Sequence, residues 1–161
     1  MKSTLDLSGL KAHKKHMKEL ENKSADVGYF SGRHSKANMS YAELAALLEY
    51  GSRSSQGGYA IPPRPALRDL ASKMRASSSE FEAELSKVIM QYIENNSSSS
   101  AYLMNETANH FKKRYQYNMY NWRYVGSQNK SNAPLTIALK GFNRPYQETG
   151  ELIRNVQTRI T

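Results

Sequence analysis

The sequence contains no cysteine, a single tryptophan and no long run of apolar residues in its 161 positions. The lack of cysteine excludes disulfide-stapled scaffolds, thiol nucleophiles and cysteine-based zinc sites. No segment approaches the ~20 consecutive apolar residues that a membrane helix needs, and lysines interrupt any apolar core of a signal peptide within residues 1–20. We therefore expect neither a membrane span nor a secretory leader.

Acidic residues are scarce relative to basic ones. The chain has 14 Asp and Glu against 23 Lys and Arg, which gives a net charge of +9 with neutral histidines. A balance of this sign favours a negatively charged partner. Most of the aromatic residues are tyrosines, 11 in all, and exposed tyrosines are typical of interfaces. The length predicts a single domain over residues 1–161 with one core.

The N-terminal segment, residues 1–24, predicts a basic amphipathic helix. Leu7, Leu10, Met17 and Leu20 fall at spacings that share one helical stripe, and lysines fill much of the remaining surface.

Alternating side chains near both ends of the chain predict strands. Residues 27–31 alternate over a short stretch, and residues 154–161 alternate with Val156, Thr158 and Ile160 on one side. The two strands bracket a helix-rich middle. We therefore expect a small sheet that contains the N-terminal and the C-terminal strand.

Helical periodicity accounts for the middle of the chain. Ser40 and Glu43 have the spacing of a capping box, and Gly51 is placed to end the helix that they begin. Apolar residues between 66 and 93 recur at helical spacing, and they predict either one long central helix or a helix pair interrupted near Ser77 to Ser79. Further helices are predicted over 101–121 and 132–141. The expected fold class is α+β (α/β-type), with the helices packed on the small sheet.

Serine-, glycine- and polar-rich stretches predict flexible loops near 32–39, 52–60 and 95–100. After the second of these loops the run Ile61 to Pro65 must be extended, because a residue before proline is disfavoured in a helix. Pro65 is placed to open the next helix.

No constellation of residues predicts catalysis or metal binding. His13 and His16 lie three positions apart on a helix, but the sequence places no third ligand beside them, so two solvated histidines are the favoured interpretation. Glu80, Glu82 and Glu84 are interpreted as solvated charges on an exposed helical face. Neither a nucleophile elbow nor a phosphate-binding loop occurs. We expect no enzyme, no metal and no cofactor.

Residues 111–124 interleave cations with aromatic residues, as surfaces that bind single-stranded nucleic acid do. Three of the aromatic residues belong to the apolar stripe of the predicted helix and are expected in the core. The other three lie on different faces and are candidates for contact: Tyr117, Tyr120 and Tyr124. A basic nucleic-acid-binding module is therefore one interpretation of the chain.

Two blocks of sequence have a recognisable order. The first contains Val27-Gly28, a helix that closes as Glu49-Tyr50-Gly51, and the run Ile61-Pro62-Pro63-Arg64-Pro65-Ala66-Leu67-Arg68. The second contains Asn132-Ala133-Pro134-Leu135-Thr136-Ile137-Ala138-Leu139-Lys140-Gly141, then Arg144-Pro145, then Thr149-Gly150-Glu151-Leu152-Ile153-Arg154.

Together these blocks resemble the tail-completion or neck proteins of long-tailed bacteriophages, a family of head-tail joining and virion morphogenesis proteins. In that family an Ile-Pro-x-Arg-Pro run is followed by an aromatic residue, whose place Ala66 takes here. The family also has a Thr-Ile-x-x-Lys-Gly helix and a Pro-Leu-(Ile/Val)-Asp-Thr-Gly turn. This chain has Tyr146-Gln147-Glu148 before the Thr-Gly of that turn.

The resemblance implies a structural virion protein of the neck, at the head-tail interface, which is assembled in the host cytoplasm and carries no catalytic residues. Its implied partners are further copies of itself in a ring of roughly six or twelve subunits, neighbouring head-completion, portal-adaptor or tail-terminator and tube proteins, and packaged DNA in the channel. No membrane is implied.

Contacts within such a ring are heterologous, so different surface segments must face the neighbouring copies. We expect these contacts at Arg33 to Asn38, at Ser52 to Arg64 and at the Tyr146 to Thr149 turn, which are mobile or extended surface segments. The candidate contact residues are Arg33, Lys36, Tyr59, Ile61, Pro62, Arg64, Tyr117, Tyr120, Tyr124 and Tyr146. The candidate structural turn residues are Gly51, Pro65, Thr149 and Gly150. The proline run is interpreted equally well as a stiff connector into the helix.

Overall fold

The computed structural model describes residues 8–94, 99–122, 137–139, 141 and 145–161. Its named helices are α1 (Ser8–Leu20), α2 (Tyr41–Tyr50), α3 (Ala66–Ala76), α4 (Ser78–Glu94), α5 (Ser100–Tyr120) and α6 (Glu151–Arg154). The strands are β1 (Ala25–Gly28), β2 (Ser52–Arg53), β3 (Tyr59–Ile61) and β4 (Gln157–Ile160). The predicted α+β class is confirmed, because helices predominate around short antiparallel strands.

The predicted small sheet with strands from the two ends of the chain is present, although its N-terminal strand is Ala25–Gly28 rather than 27–31. β1 and β4 are antiparallel, with Ala25 opposite Ile160 and Gly28 opposite Gln157. Ser24 and Thr161 extend the ladder, since their backbones exchange hydrogen bonds of 2.8 and 2.9 Å. A two-stranded sheet is marginally stable alone, so its stability depends on the helices that pack against it.

The core lies between this sheet, α3 and α5. Its buried residues come from three distant parts of the chain and are Ala66, Leu70, Tyr115, Met119 and Val156. α5, the longest described helix, contacts both strands of the sheet and also α1, α3 and α4. The prediction of a helix over 101–121 is confirmed, since α5 ends at Tyr120.

The central apolar segment forms two helices rather than one rod. Ser77 separates α3 from α4 with φ of −121° and ψ of 52°, outside the helical region. Serine side chains compete with the backbone for hydrogen bonds, and three consecutive serines follow Ala76, so the interruption occurs where helical preference is weakest.

The capped helix is confirmed at both ends. The Ser40 side chain accepts a hydrogen bond from the Glu43 backbone, and the Glu43 carboxylate accepts one from the Ser40 backbone. Gly51 ends α2 with φ of +73°, and its N–H donates to Leu47 at 2.8 Å. Pro65 immediately precedes the first residue of α3.

The segment 52–60, which we predicted as a loop, contains a hairpin formed by β2 and β3. Its strands pair antiparallel, and Ser54 and Gly58 close the turn with a backbone hydrogen bond of 3.1 Å. Gly57 and Gly58 both have positive φ, which lets so short a turn reverse the chain. The sequence signal was missed because the strands are only two and three residues long.

The last strand is shorter than predicted. Alternation had indicated a strand over 154–161, but residues Glu151–Arg154 form α6 and only Gln157–Ile160 are strand. Gly150 precedes α6 in the left-handed conformation, with φ of +68°. A single helical turn contains too few residues to show helical periodicity, so the sequence pattern did not reveal α6.

The predicted N-terminal helix is present as α1, and much of its apolar stripe is exposed. Leu10 and Met17 are 66% and 59% exposed, whereas Leu20 is partly buried. The side that contacts the body includes His16, whose Nδ1 lies 2.9 Å from the hydroxyl of Tyr92. Residues 1–7 lie outside the described part of the chain, and residues 21–24 are not helical.

Several predictions fall partly or wholly outside the described residues. Of the predicted helix 132–141 only 137–139 and 141 are described, and 137–139 are helical. Residues 95–98 of the predicted serine-rich loop and the candidate contact residue Tyr124 are also outside the described ranges.

Candidate interaction surfaces

The two motif blocks are joined inside the subunit by Tyr146, which lies between Pro145 and Thr149 of the second block. Its hydroxyl donates a hydrogen bond to the backbone carbonyl of Arg64, and burial raises the pKa of this hydroxyl. The Tyr146 ring packs edge-on against Trp122, with ring centroids 5.8 Å apart. The Arg64 backbone in turn donates to the carbonyl of Leu48 at 2.6 Å. The extended run before α3 and the turn before α6 are therefore held together.

Beside this contact a cleft of about 370 Å³ opens between the loop 32–39, α2 and the turn before α6. Its apolar lining includes Leu44, Leu48 and Leu152. At its mouth the exposed Lys36 Nζ lies 3.6 Å from an Oε of Glu148. Four sequence-predicted residues are brought together here, namely Lys36, Arg64, Tyr146 and Thr149.

The loop 32–39 is attached to α6 through the carboxylate of Glu151. This carboxylate accepts hydrogen bonds from the Ser35 hydroxyl, from the Ser35 backbone at 3.0 Å and from the Tyr41 hydroxyl at 3.2 Å. The hydrogen bonds from Ser35 lower the pKa of Glu151 to about 2. The sequence did not predict this role, because the loop and α6 are more than 100 positions apart.

His34 makes a second connection between the same two segments. Its Nδ1 accepts backbone hydrogen bonds from Lys36 at 3.2 Å and Ala37 at 3.1 Å, so in this tautomer Nε2 carries the proton. Nε2 then donates to the Thr149 hydroxyl at 3.1 Å. That hydroxyl oxygen also accepts from the Glu151 backbone at 3.2 Å, so Thr149 takes part in the turn as predicted.

We expect the connection through Glu151 to weaken in acid. A carboxylate whose folded pKa is about 2 and whose ordinary value is 4.5 stabilises the fold fully above pH ~4.5, and the contribution is lost as pH falls towards 2. Glu151→Gln should therefore lower the melting temperature at pH 7, and its difference from the unmodified protein should shrink between pH 4.5 and 2.5. Melting curves across this range measure the effect. Glu94→Gln, on an exposed side chain, is the matched control, and a constant difference for Glu151→Gln would contradict the assignment.

The predicted contact residues divide into exposed and internal ones. Tyr59, Tyr117 and Tyr120 are 47%, 70% and 57% exposed. Arg33 is exposed and donates to the Asn38 carbonyl at 2.8 Å within its own loop.

The predicted exposure is wrong for Arg64, which is buried, and for Tyr146, which packs against the core. Ile61 and Pro62 are partly buried. Extended and turn-forming segments usually lie on the surface, whereas the structure buries these four residues to different degrees.

Glu49 is an internal residue whose role the sequence did not predict. Its carboxylate accepts hydrogen bonds from the backbones of Leu67 at 3.1 Å and Arg68 at 2.9 Å, and from Arg68 Nε at 3.1 Å. Pro65, at the cap position of α3, makes no side-chain cap, so a carboxylate from α2 satisfies the first free donors of α3.

The interpretation of the α4 glutamates as solvated charges is wrong for Glu84, because its carboxylate is paired with side chains of α5. One Oε lies 2.6 Å from Arg114 and 2.9 Å from Nε2 of His110. The hydrogen bond from Arg114, followed by that from His110, lowers the pKa of Glu84. His110 and Arg114 are four positions apart on α5, and this spacing could have indicated a shared partner.

Among the residues that the structure describes, no group of three or more His, Cys, Asp or Glu side chains could hold a metal ion. Within the same part of the chain, no helix is long and apolar enough to cross a membrane. Comparisons with protein-family models, curated proteins and solved structures gave no match to the chain.

Proposed function

We propose that the chain is a structural virion protein of the bacteriophage neck, where it forms part of a ring that completes the tail and joins it to the DNA-filled head. The observation that carries this proposal is the meeting of the two motif blocks. Arg64 and Tyr146 are 82 positions apart, yet they bond directly and line one cleft. The two segments that resemble the neck family, the extended run that ends at Pro65 and the turn that contains Thr149 and Gly150, are thus held together in this chain, through a tyrosine at a position where the turn differs from the family's pattern.

In this proposal the motif residues maintain the shape of the subunit, and exposed residues outside them make the contacts. Glu49, Gly51, Thr149 and Gly150 have internal roles at helix ends and turns. The predicted contact residues that remain exposed are Arg33, Lys36, Tyr59, Tyr117 and Tyr120. Such a division fits a ring protein, whose role is structural and requires no cofactor.

Apolar surface on both sides of Leu67 supports assembly into a ring. Leu67 is 46% exposed and separates two clefts. One cleft lies towards α2 and is lined by alanines and the exposed Tyr50. The other lies along α3 and is lined by Leu70, Met74 and Phe111, among others. Apolar clefts of this kind on a basic, polar chain are typical of surfaces that another protein covers.

The proposal is tested by placing a stop codon early in the gene within the phage or prophage that carries it. Negative-stain electron microscopy of the lysate should then show DNA-filled heads and tails that remain separate, or tails with an aberrant head-proximal end. A plasmid copy of the unmodified gene should restore joined particles. Normal infectious particles without the protein would reject the neck assignment.

The same complementation assay tests a contact residue. Tyr59→Ala should reduce the yield of infectious particles at least about tenfold, because truncating an exposed aromatic residue at an interface removes contact area from every subunit. Tyr102→Ala, which truncates another tyrosine that is 41% exposed, is the matched control and should change the yield about twofold or less. Equal yields from the two variants would exclude the hairpin from the interface.

A nucleic-acid-binding module remains the second candidate function, because Tyr117 and Tyr120 are exposed on the helix that also carries Lys113. This alternative predicts that Tyr117→Ala with Tyr120→Ala weakens binding of a single-stranded oligonucleotide by roughly tenfold or more. Virion assembly would be unaffected in that case.

A further inference from the structure

α1 presents a face of unpaired lysines. Lys11, Lys14, Lys15 and Lys18 are all exposed, and none forms an ion pair with another described residue. At about 100° per residue the four side chains fall within an arc of roughly 100° on one side of the helix. α1 contains no arginine.

Contacts on the rest of α1 fix the direction of this face. His16 bonds to Tyr92 on α4, and the Glu19 carboxylate accepts a hydrogen bond of 3.0 Å from the Ser100 hydroxyl at the start of α5. Lys23, just beyond the helix, donates to the same Ser100 hydroxyl at 3.4 Å. The lysine face is therefore directed away from α4 and α5.

Many of the described cations elsewhere differ from these lysines, because carboxylates of the same subunit pair with them. The ion pairs are Lys36 with Glu148, Arg68 with Glu49, Lys73 with Asp69, Arg114 with Glu84 and Arg159 with Asp26. α1 is thus the described helix on which unpaired positive charge is most concentrated.

We propose that the lysine face of α1 binds the phosphate backbone of duplex DNA without reading its sequence. From Lys11 to Lys18 the helix rises about 10.5 Å, and a duplex presents one negative charge per ~1.7 Å of its axis. The face therefore meets about six phosphate charges over its own length. This binding site is separate from the tyrosines of α5 and from the ring contacts of the proposed function.

The chemistry of α1 favours DNA over two other anionic surfaces. An interfacial membrane helix inserts a broad apolar face, but one side of α1 contacts the body, and the large apolar side chains described as exposed on α1 are Leu10 and Met17. Lysines act as point charges without the bidentate fork of arginine, so a row of them suits the evenly repeated charge of a phosphate backbone better than the irregularly placed carboxylates of an acidic protein.

The test is the salt dependence of binding to a fluorescent duplex of random sequence, measured by anisotropy between about 50 and 200 mM salt. Four phosphate contacts contribute about −3.6 to the slope of log affinity against log salt, which corresponds to a loss of roughly a hundredfold across this range. The variant K11Q/K14Q/K15Q/K18Q should reduce the slope by about 3 to 4 units and weaken binding at low salt. Circular dichroism checks that α1 is retained, since glutamine and lysine have similar helix propensities.

The control variant R75Q/K87Q/K112Q/K113Q removes the same charge from α3, α4 and α5 and should keep most of the slope. An unchanged slope in the α1 variant, or an equal loss in the control, would overturn the proposal. The proposal would also be overturned if the unmodified protein bound vesicles with phosphatidylserine, or polyglutamate, but did not bind the duplex. These outcomes leave the micrograph test of the neck assignment unaffected, so failure of one proposal is distinguishable from failure of the other.

Discussion

Replacing Glu49 by alanine is expected to lower the free energy of unfolding by about 3 kcal/mol. The Glu49 carboxylate is buried between α2 and α3 and accepts hydrogen bonds from the backbones of Leu67 and Arg68. Without this carboxylate, the backbone N–H groups of Leu67 and Arg68 lose their acceptor. The Arg68 guanidinium also loses its ion pair with Glu49, in which the two side chains are 3.1 Å apart. Because α3 supplies Leu70 to the core, the loss at its first turn also affects the packing of the domain.

Urea unfolding followed by circular dichroism measures this effect. Glu49→Gln keeps an oxygen acceptor but removes the charge, so it should cost less than Glu49→Ala. Glu82→Ala, on the exposed face of α4, is the matched control and should change the free energy of unfolding by about 0.5 kcal/mol or less. If Glu49→Ala were as stable as this control, the carboxylate would not be what fixes the start of α3.

Replacing Met119 by alanine should also cost about 3 kcal/mol, for a different physical reason. Met119 is fully buried where α5 crosses the sheet, and its sulfur lies 3.6 Å from the Tyr29 hydroxyl. Truncation leaves a cavity in the centre of the core, because the strands and α3 cannot all relax to fill it.

Met90 provides the control for this substitution, since it is 52% exposed on α4. Met90→Ala should change the free energy of unfolding by about 0.5 kcal/mol or less, and Met119→Leu, which nearly conserves volume, by less than about 1.5 kcal/mol. Similar costs for Met119→Ala and Met90→Ala in urea unfolding would contradict the placement of Met119 in the core.

The elements that the sequence predicted correctly are those with local signals. The capping box at Ser40 and Glu43 fixed the start of α2, and the positive φ that Gly51 adopts fixed its end. The alternation of Val156, Thr158 and Ile160 indicated β4, although it extended the strand over residues that form α6. Local patterns depend on neighbouring residues only, so they can be recognised in the sequence without knowledge of the tertiary contacts.

The contacts that the sequence did not predict join distant segments. Nothing local to Glu49 indicates that it caps α3, and nothing local to Glu151 indicates that it holds Ser35. Tyr146 was interpreted as an exposed turn residue, yet the turn takes a positive φ of 64° at this position and packs the ring against Trp122. Burial of such residues depends on the arrangement of all the elements around them.

The proposed function depends on exposed residues, which the structure groups into three surfaces. Tyr59 in the hairpin, the apolar surface around Leu67 and the lysine face of α1 lie on different elements. We propose that the first two contact neighbouring copies and that the third contacts DNA. The two sets of variants above separate these two proposed roles.

The most direct test of the neck assignment is to locate the protein in complete virions. Gold-labelled antibody against the chain is applied to purified particles and viewed by electron microscopy. It should mark the junction between head and tail, which is the position of the proposed ring. Label along the capsid, label at the distal tail tip, or absence of the protein from particles that are otherwise complete would contradict it.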